Sequence, residues 1–125
     1  MLKGCGIDIV EIARIEDVLS RHQERFLHKL LTPNEIELYY ERKKSGLAFV
    51  AGRWAVKEAF AKALGTGIGS RCQFTEIEVL NNDSGKPILC TLGTTKETTQ
   101  AFGIQEIHIS ISHEQNYAVA QVILT

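Results

Sequence analysis

The strongest constraint on the fold is the hydrophobic pattern of residues 106–124. Residues 106–112 alternate between polar and apolar side chains, which predicts a strand with one buried face. The residues of this strand that are expected to face inward are Ile107, Ile109 and Ile111. A turn at 113–116 leads into the nearly continuous apolar run 117–124, so the two segments predict an antiparallel hairpin. The second of these strands is apolar enough to be covered on both faces.

The remaining elements divide into a helical first half and a second half rich in strands. Helices are predicted over 12–30, from 33 to about Lys44, and over 47–64, with a short one over 94–102. Strands are predicted over 2–10, 73–80 and 87–92, the last two as a hairpin. Two local signals support the helix boundaries: a capping box at Thr32, Pro33 and Glu35, and a terminating glycine at Gly65. This order predicts an α+β fold in which an antiparallel sheet packs with a long helix.

Length and charge limit the classes of function. A chain of 125 residues predicts one domain, spanning 1–125. With 14 basic and 15 acidic residues, the chain has no general positive field to hold nucleic acid. No run of 18 apolar residues occurs, so no membrane span is expected. The three cysteines lie far apart and form no CxxC pair, which is typical of a reduced, cytoplasmic protein.

Two carboxylates stand out as candidates for chemistry. Asp8 interrupts a short apolar strand, where a charge is costly unless it reaches solvent or holds a ligand such as a metal ion. Glu58 lies four residues before Lys62, a spacing that also suits an exposed ion pair on a helix. Because most neighbours of Glu58 are small or apolar, its face of the helix is better suited to packing or to lining a site.

Three further features have both a structural and a functional interpretation. The glycine-rich loop 65–69 follows a helix and has GxGxG spacing, so it fits neither a Rossmann nor a P-loop context, although glycines let backbone N–H groups approach a phosphate. Arg14 and Arg21, with Arg25 near them, share one helix face that is either solvated or docks an acidic partner. The four histidines, including His113, show no metal-binding spacing.

Three segments together resemble the phosphopantetheinyl transferase superfamily, and within it the small bacterial class of holo-[acyl-carrier-protein] synthases. The first is Gly6-Ile7-Asp8, which matches a G-[ILV]-D motif, and the second, residues 54–62, matches [FW]-[AS]-x-K-E-[AS]-x-x-K. The third is the late segment 109–113, which is similar to a SISH motif of the family. The resemblance covers nearly the whole chain, but residues 94–105 do not align closely with the family core.

The resemblance implies a reaction and its partners. Such enzymes transfer 4'-phosphopantetheine from coenzyme A to a serine of apo acyl carrier protein, for fatty acid biosynthesis, and release adenosine 3',5'-bisphosphate. Asp8 and Glu58 match the family's Mg²⁺ ligands. The small class forms a homotrimer whose active sites are shared between subunits, so a homotrimer is expected here.

The resemblance also assigns roles to single residues. Glu58 matches the general base, with a water positioned by Asp8 as the alternative, and Lys62 matches the residue that supports the reacting phosphate. The residues expected to hold coenzyme A are Arg53, Lys62, Gly65, Gly67 and His113. The residues expected to bind the carrier protein are Arg14, Arg21 and Phe26.

Two other functions use the same residues. In the first, a Mg²⁺-dependent hydrolase of a nucleotide diphosphate linkage, Asp8 and Glu58 would pass the group to water. In the second, a non-catalytic trimeric module, Arg14 and Arg21 would bind an acidic carrier protein while the carboxylates are structural.

Overall fold

A computed structural model describes residues 1–42 and 44–125. The helices over these residues are α1 (Ile12–Leu30), α2 (Pro33–Glu41), α3 (Gly46–Leu64) and α4 (Gly93–Ala101). The strands are β1 (Gly4–Glu11), β2 (Ile77–Asn81), β3 (Pro87–Thr91), β4 (Ile107–His113) and β5 (Tyr117–Leu124). No helix in the described part of the chain is long and apolar enough to span a bilayer.

Both sheets are antiparallel. One has the strand order β1-β5-β4 and the other pairs β2 with β3, so both predicted hairpins are confirmed. The first strand pairs with the last one, and this register sets Asp8 of the edge strand β1 opposite Ala120 of β5. The α+β class with an antiparallel sheet packed on a long helix is confirmed.

The long helix α3 lies unusually close to β1. A Cβ atom at Gly6 would lie 2.0 Å from the carbonyl oxygen of Ala59, and one at Gly4 would lie 2.3 Å from that of Ala63. Only glycine leaves room for this contact, and the small alanines of α3 let the two backbones approach. The close packing fixes the distance between the elements that carry Asp8 and Glu58.

The central strand β5 is covered on one face within a single chain. Its inward residues, Ala118, Ala120, Val122 and Leu124, are buried in the core, whereas Tyr117 is exposed. The three inward isoleucines of β4 are partly buried and pack against the same core, as predicted. On the outer face, Ile7 and Ile9 of β1 are 60% and 63% exposed.

Three local expectations need correction. Residues 74–76 form a 3₁₀ turn rather than the start of a strand, because the Glu76 carboxylate accepts hydrogen bonds from Thr95 at the start of α4 instead of lying along a ladder. Helix α2 ends at Glu41 and Lys44 lies in a turn; Lys43, within the predicted range, lies outside the described residues. Helix α1 spans the predicted range but is kinked at His22, where φ is −141° and ψ is 44°.

Candidate active site

A cleft of about 380 Å³ lies between β1, α1 and α3. Three carboxylates line it from separate elements: Asp8 from β1, Glu58 from α3 and Asp17 from α1. The apolar and basic residues that complete its lining include Ile9, Val10, Ile15, Arg14, Phe26 and Trp54. The structure thus brings two of the predicted catalytic residues together with two of the predicted carrier-binding residues.

Asp8 faces α3 and not bulk solvent. Its side chain is 16% exposed and accepts a hydrogen bond of 2.9 Å from Lys62 Nζ, which also donates to the carbonyl of Ile7 at 3.1 Å. Lys62 therefore pairs with Asp8 across the elements, in place of the ion pair with Glu58 that the helical spacing also allowed. The Lys62 side chain is 55% exposed beside Asp8, so it remains open to a ligand.

Glu58 is in an environment that disfavours its charge. Partial burial raises its pKa, the like charge of Asp8 raises it further, and Lys62 opposes both effects. A cation beside both carboxylates would relieve this repulsion.

The donor set at this point fits a magnesium ion. Over the described residues no group of three or more His, Cys, Asp or Glu side chains is placed to hold a metal. Two carboxylates suit Mg²⁺, which binds to one or two of them and completes its shell with waters and substrate phosphates.

An aromatic and basic wall faces the carboxylates. The Phe26 ring lies 5.9 Å from the Trp54 ring, which stacks on Phe74 at 5.2 Å. Arg14 lines the cleft, whereas Arg21 is exposed and pairs at 3.3 Å with Asp17, which lines the cleft. Arg25 follows the kink at His22, so it is separated from the regular stretch of α1 that holds the other two arginines.

Arg53 and His113 lie in a second cleft, of about 230 Å³. Arg53 is only 6% exposed, and its guanidinium donates to the Val79 carbonyl and to Asn81 Oδ1, both at 2.9 Å. It also lies over the Phe49 ring, 4.1 Å from the centroid. Within one chain these two predicted coenzyme A ligands are therefore not part of the cleft that contains Asp8 and Glu58.

The glycine loop ends α3 directly beyond Lys62. Gly65 has a φ of +85° and Gly67 a φ of +67°, both in the left-handed region that favours glycine. The N–H group of Gly65 donates to the carbonyls of Ala61 and Lys62, and that of Gly67 to Ala61. These two N–H groups serve the helix end, as predicted for Gly65, so in this conformation they are not directed at a ligand.

A buried ion pair lies next to the site and is not predicted by the sequence patterns. Lys57 and Glu35 are both fully buried, and Lys57 Nζ lies 2.6 Å from Glu35 Oε1. Glu35 also completes the predicted capping box with Thr32. The sequence signals are only a capping glutamate and a lysine in an alanine-rich helix, and no local pattern pairs residues 22 positions apart.

The sequence matches the 4'-phosphopantetheinyl transferase superfamily over residues 4–122. A holo-[acyl-carrier-protein] synthase of Geobacillus sp. (strain WCH70) is 43% identical over 99% of this chain and 97% of its own length.

Solved structures agree with this match. The crystal structure of holo-[acyl-carrier-protein] synthase from Neisseria meningitidis superposes with a TM-score of 0.94 at 32% identity, covering 100% of this chain and 99% of that one. The structure of the Helicobacter pylori synthase in complex with coenzyme A superposes with a TM-score of 0.86 at 38% identity. The match covers 97% of this chain and 99% of that one. The chain therefore belongs to the 4'-phosphopantetheinyl transferase superfamily, as a member of its holo-[acyl-carrier-protein] synthase family.

Proposed function

We propose that this chain transfers 4'-phosphopantetheine from coenzyme A to a serine hydroxyl of apo acyl carrier protein. The observation that carries the proposal is that Asp8 and Glu58 line one cleft beside an aromatic and basic wall, and that Lys62 donates to Asp8 there. The full-length similarity to holo-[acyl-carrier-protein] synthases, one of them solved with coenzyme A, supports the same reaction.

Asp8 and Glu58 are the proposed Mg²⁺ ligands. When bound, the ion would offset the negative charge of the coenzyme A pyrophosphate and of the leaving phosphate. The two carboxylates come from β1 and α3, whose distance is fixed by the glycine contacts, so the ligands are held in place before substrates arrive.

Two protein side chains then act on the substrates: one accepts the proton of the serine, and the other stabilises the negative charge of the phosphate. Glu58 accepts the proton of the serine hydroxyl, whose oxygen forms a bond to the phosphorus that carries pantetheine. The bond from that phosphorus to the bridging oxygen breaks, and adenosine 3',5'-bisphosphate leaves. Lys62, which donates to Asp8 in the free protein and is half exposed, offers its ammonium group to a phosphate oxygen.

Helix α1 is the proposed docking site of the carrier protein. Arg14 at the cleft and Arg21 on the exposed side attract an acidic partner although the whole chain has a net charge of −1. Phe26 adds an apolar contact in the same cleft. This arrangement would bring the acceptor serine next to Glu58.

The working unit in this proposal is a homotrimer in the cytoplasm that supplies fatty acid biosynthesis. If Arg53 and His113 bind the same coenzyme A molecule as Asp8, the two clefts have to come from neighbouring copies, because they are separate in one chain. The exposed isoleucines of β1 offer apolar surface for such contacts. The free thiols of Cys5, Cys72 and Cys90 support a reducing compartment.

Site variants test this assignment. In an assay with coenzyme A, apo carrier protein and Mg²⁺, we expect Asp8→Ala and Glu58→Ala each to lower kcat by about 10²–10³-fold, as loss of an electrostatic stabiliser does. Asp83→Ala, which changes an exposed acid in a turn, is the matched control and should keep full activity. Full activity of both site variants would contradict the proposed site.

The same assay separates the other functions. Adenosine 3',5'-bisphosphate should form only when the carrier protein has its acceptor serine. Release of the bisphosphate without any carrier protein would indicate a hydrolase. Binding of the carrier protein without product would indicate a non-catalytic module.

A further inference from the structure

The buried pair of Lys57 and Glu35 lies beside the active site without entering it. Both side chains are 0% exposed. Lys57 Nζ donates to Glu35 Oε1 at 2.6 Å, to the carbonyl of Leu30 at 2.7 Å and to the carbonyl of Phe74 at 3.0 Å. All three donor positions of the ammonium group are thus used, so it has none left for a substrate.

The partners of this pair surround α3. Leu30 ends α1, Phe74 begins the 3₁₀ turn, and Glu35 lies in the first turn of α2. The Glu35 carboxylate in turn accepts from the N–H groups of Thr32 and Val79, at 2.9 and 2.8 Å. One charged pair therefore ties α3 to α1, α2, the turn and β2.

This network holds α3 from the side that β1 does not touch. On the β1 side, Gly6 meets the backbone of α3 at Ala59, two residues after Lys57. Between these two anchors lies Glu58. A helix held at neighbouring residues by a polar network and by close backbone packing can neither rotate nor slide without breaking one of them.

Stability alone does not explain why a charge is buried here. Replacing a buried ion pair with apolar residues of similar volume is often neutral or stabilising, because desolvation offsets the attraction between the charges. The buried pair adds a defined geometry, because the Lys57 ammonium group is held by three fixed acceptors.

We infer that Lys57, locked to Glu35, is a positioning residue that sets the rotation of α3 and so directs the Glu58 carboxylate toward Asp8. The inference rests on the proposed role of Glu58. It assigns a part in the reaction to α2, an element that contributes no residue to the lining of the cleft.

The test replaces the charged pair with a neutral one. The double variant Glu35→Gln/Lys57→Met keeps side-chain volume and leaves no unpaired buried charge, but removes all the hydrogen bonds of the ammonium group. Its control is Ile107→Ala, which removes core packing in β4 away from the cleft and from the buried pair. For each variant we would measure thermal unfolding, kcat and the KM values for coenzyme A and the carrier protein. Mn²⁺ binding in the presence of coenzyme A is measured from the EPR signal of the free ion.

We expect the neutral pair to lower kcat by about tenfold or more, as small misplacements of reacting groups do, and to weaken Mn²⁺ binding while KM for the carrier protein is unchanged. Ile107→Ala should lose stability but keep the wild-type kcat. If the neutral pair keeps the wild-type kcat and Mn²⁺ affinity, or if Ile107→Ala loses kcat to the same extent, the positioning role is wrong.

Two further variants complete the test. The first is Glu35→Gln/Lys57→Gln, which also leaves no unpaired buried charge but keeps an amide group that can donate to the carbonyls of Leu30 or Phe74. We expect it to lower kcat less than Glu35→Gln/Lys57→Met does, and it decides the matter if that variant does not fold. Glu58→Ala is measured in parallel. Should it remain active, the proposed function of Glu58 fails; should it be inactive while both pair variants are fully active, only the positioning role fails.

Discussion

At the scale of single residues, several side chains at and near the site make contacts with distant parts of the chain that their local sequence does not predict. Glu35 fits a capping box in the sequence and does complete one, but its carboxylate also neutralises a buried lysine. Asp8 is recognisable because a charge within an apolar strand is costly. The sequence does not show that Lys62 is the partner of Asp8. Its spacing to Glu58 suggests a pair within the helix, whereas in the structure Lys62 contacts Asp8 of β1.

Gly6 provides a test of how the carboxylates are held. Its replacement by alanine would place a Cβ 2.0 Å from the Ala59 carbonyl oxygen and force β1 away from α3. Such overpacking typically costs about 1–3 kcal/mol, so we expect Gly6→Ala to lower the free energy of unfolding by at least this amount. Because Asp8 moves with β1, kcat should fall as well.

Denaturant unfolding of Gly6→Ala and of Gly69→Ala measures this effect. A Cβ atom at Gly69 would meet no other atom within 4 Å, and the φ of Gly69 is not positive. Its replacement should therefore leave the free energy of unfolding close to that of the wild type. Equal stability of the two variants would contradict the close packing of β1 on α3.

At the scale of elements, periodicity and caps locate most helices and strands but not their irregularities. The Thr32 capping box, the Gly65 stop and the alternation of β4 are local signals, and each marks an element correctly. The 3₁₀ turn at 74–76 depends on the contact of Glu76 with α4, which lies 18 residues further along the chain. The kink at His22 could not be predicted, because no proline or glycine lies near it in the sequence.

Helix α1 carries the charge that we expect the carrier protein to recognise. Reversing it in Arg14→Glu/Arg21→Glu should raise KM for an acidic carrier protein by about tenfold or more, since like charges at an interface oppose encounter and binding. The kcat at saturating carrier protein should change little. Added salt should raise KM for the carrier protein in the wild type, because screening removes the attraction. It should lower KM in the variant, because screening removes the repulsion.

Steady-state kinetics at several salt concentrations checks this expectation. Lys86→Glu/Lys96→Glu reverses two exposed charges outside α1, the same change in net charge, and serves as the control. An equal rise in KM for both variants would mean that overall charge, and not α1, guides the carrier protein.

At the scale of the whole molecule, the residues that the proposed reaction needs lie in two separate clefts of one chain. The reaction requires both sets of residues around the same coenzyme A molecule. The cleft with Glu58 and the cleft with Arg53 and His113 are lined by different residues. Sequence motifs could identify both sets, but a motif carries no information on which residues meet in one chain and which meet between copies. A closed homotrimer with head-to-tail contacts would join the first cleft of each copy to the second cleft of its neighbour.

Mixing two inactive variants tests this arrangement. If sites are shared, Glu58→Ala and His113→Ala subunits that are dissociated and reassembled together should recover part of the wild-type activity, because some sites then receive Glu58 from one copy and His113 from another. Each variant taken alone through the same treatment is the control. No recovery from a reassembled mixture would place the whole site within one chain.

The most direct test of the central claim is the intact mass of apo acyl carrier protein after incubation with this protein, coenzyme A and Mg²⁺. We expect the carrier protein to gain the mass of one phosphopantetheine group, and we expect a chelator added at the start to abolish the gain. An unchanged mass with several apo carrier proteins, from a folded sample, would contradict the transferase function. A gain that persists in the chelator would contradict the metal role of Asp8 and Glu58.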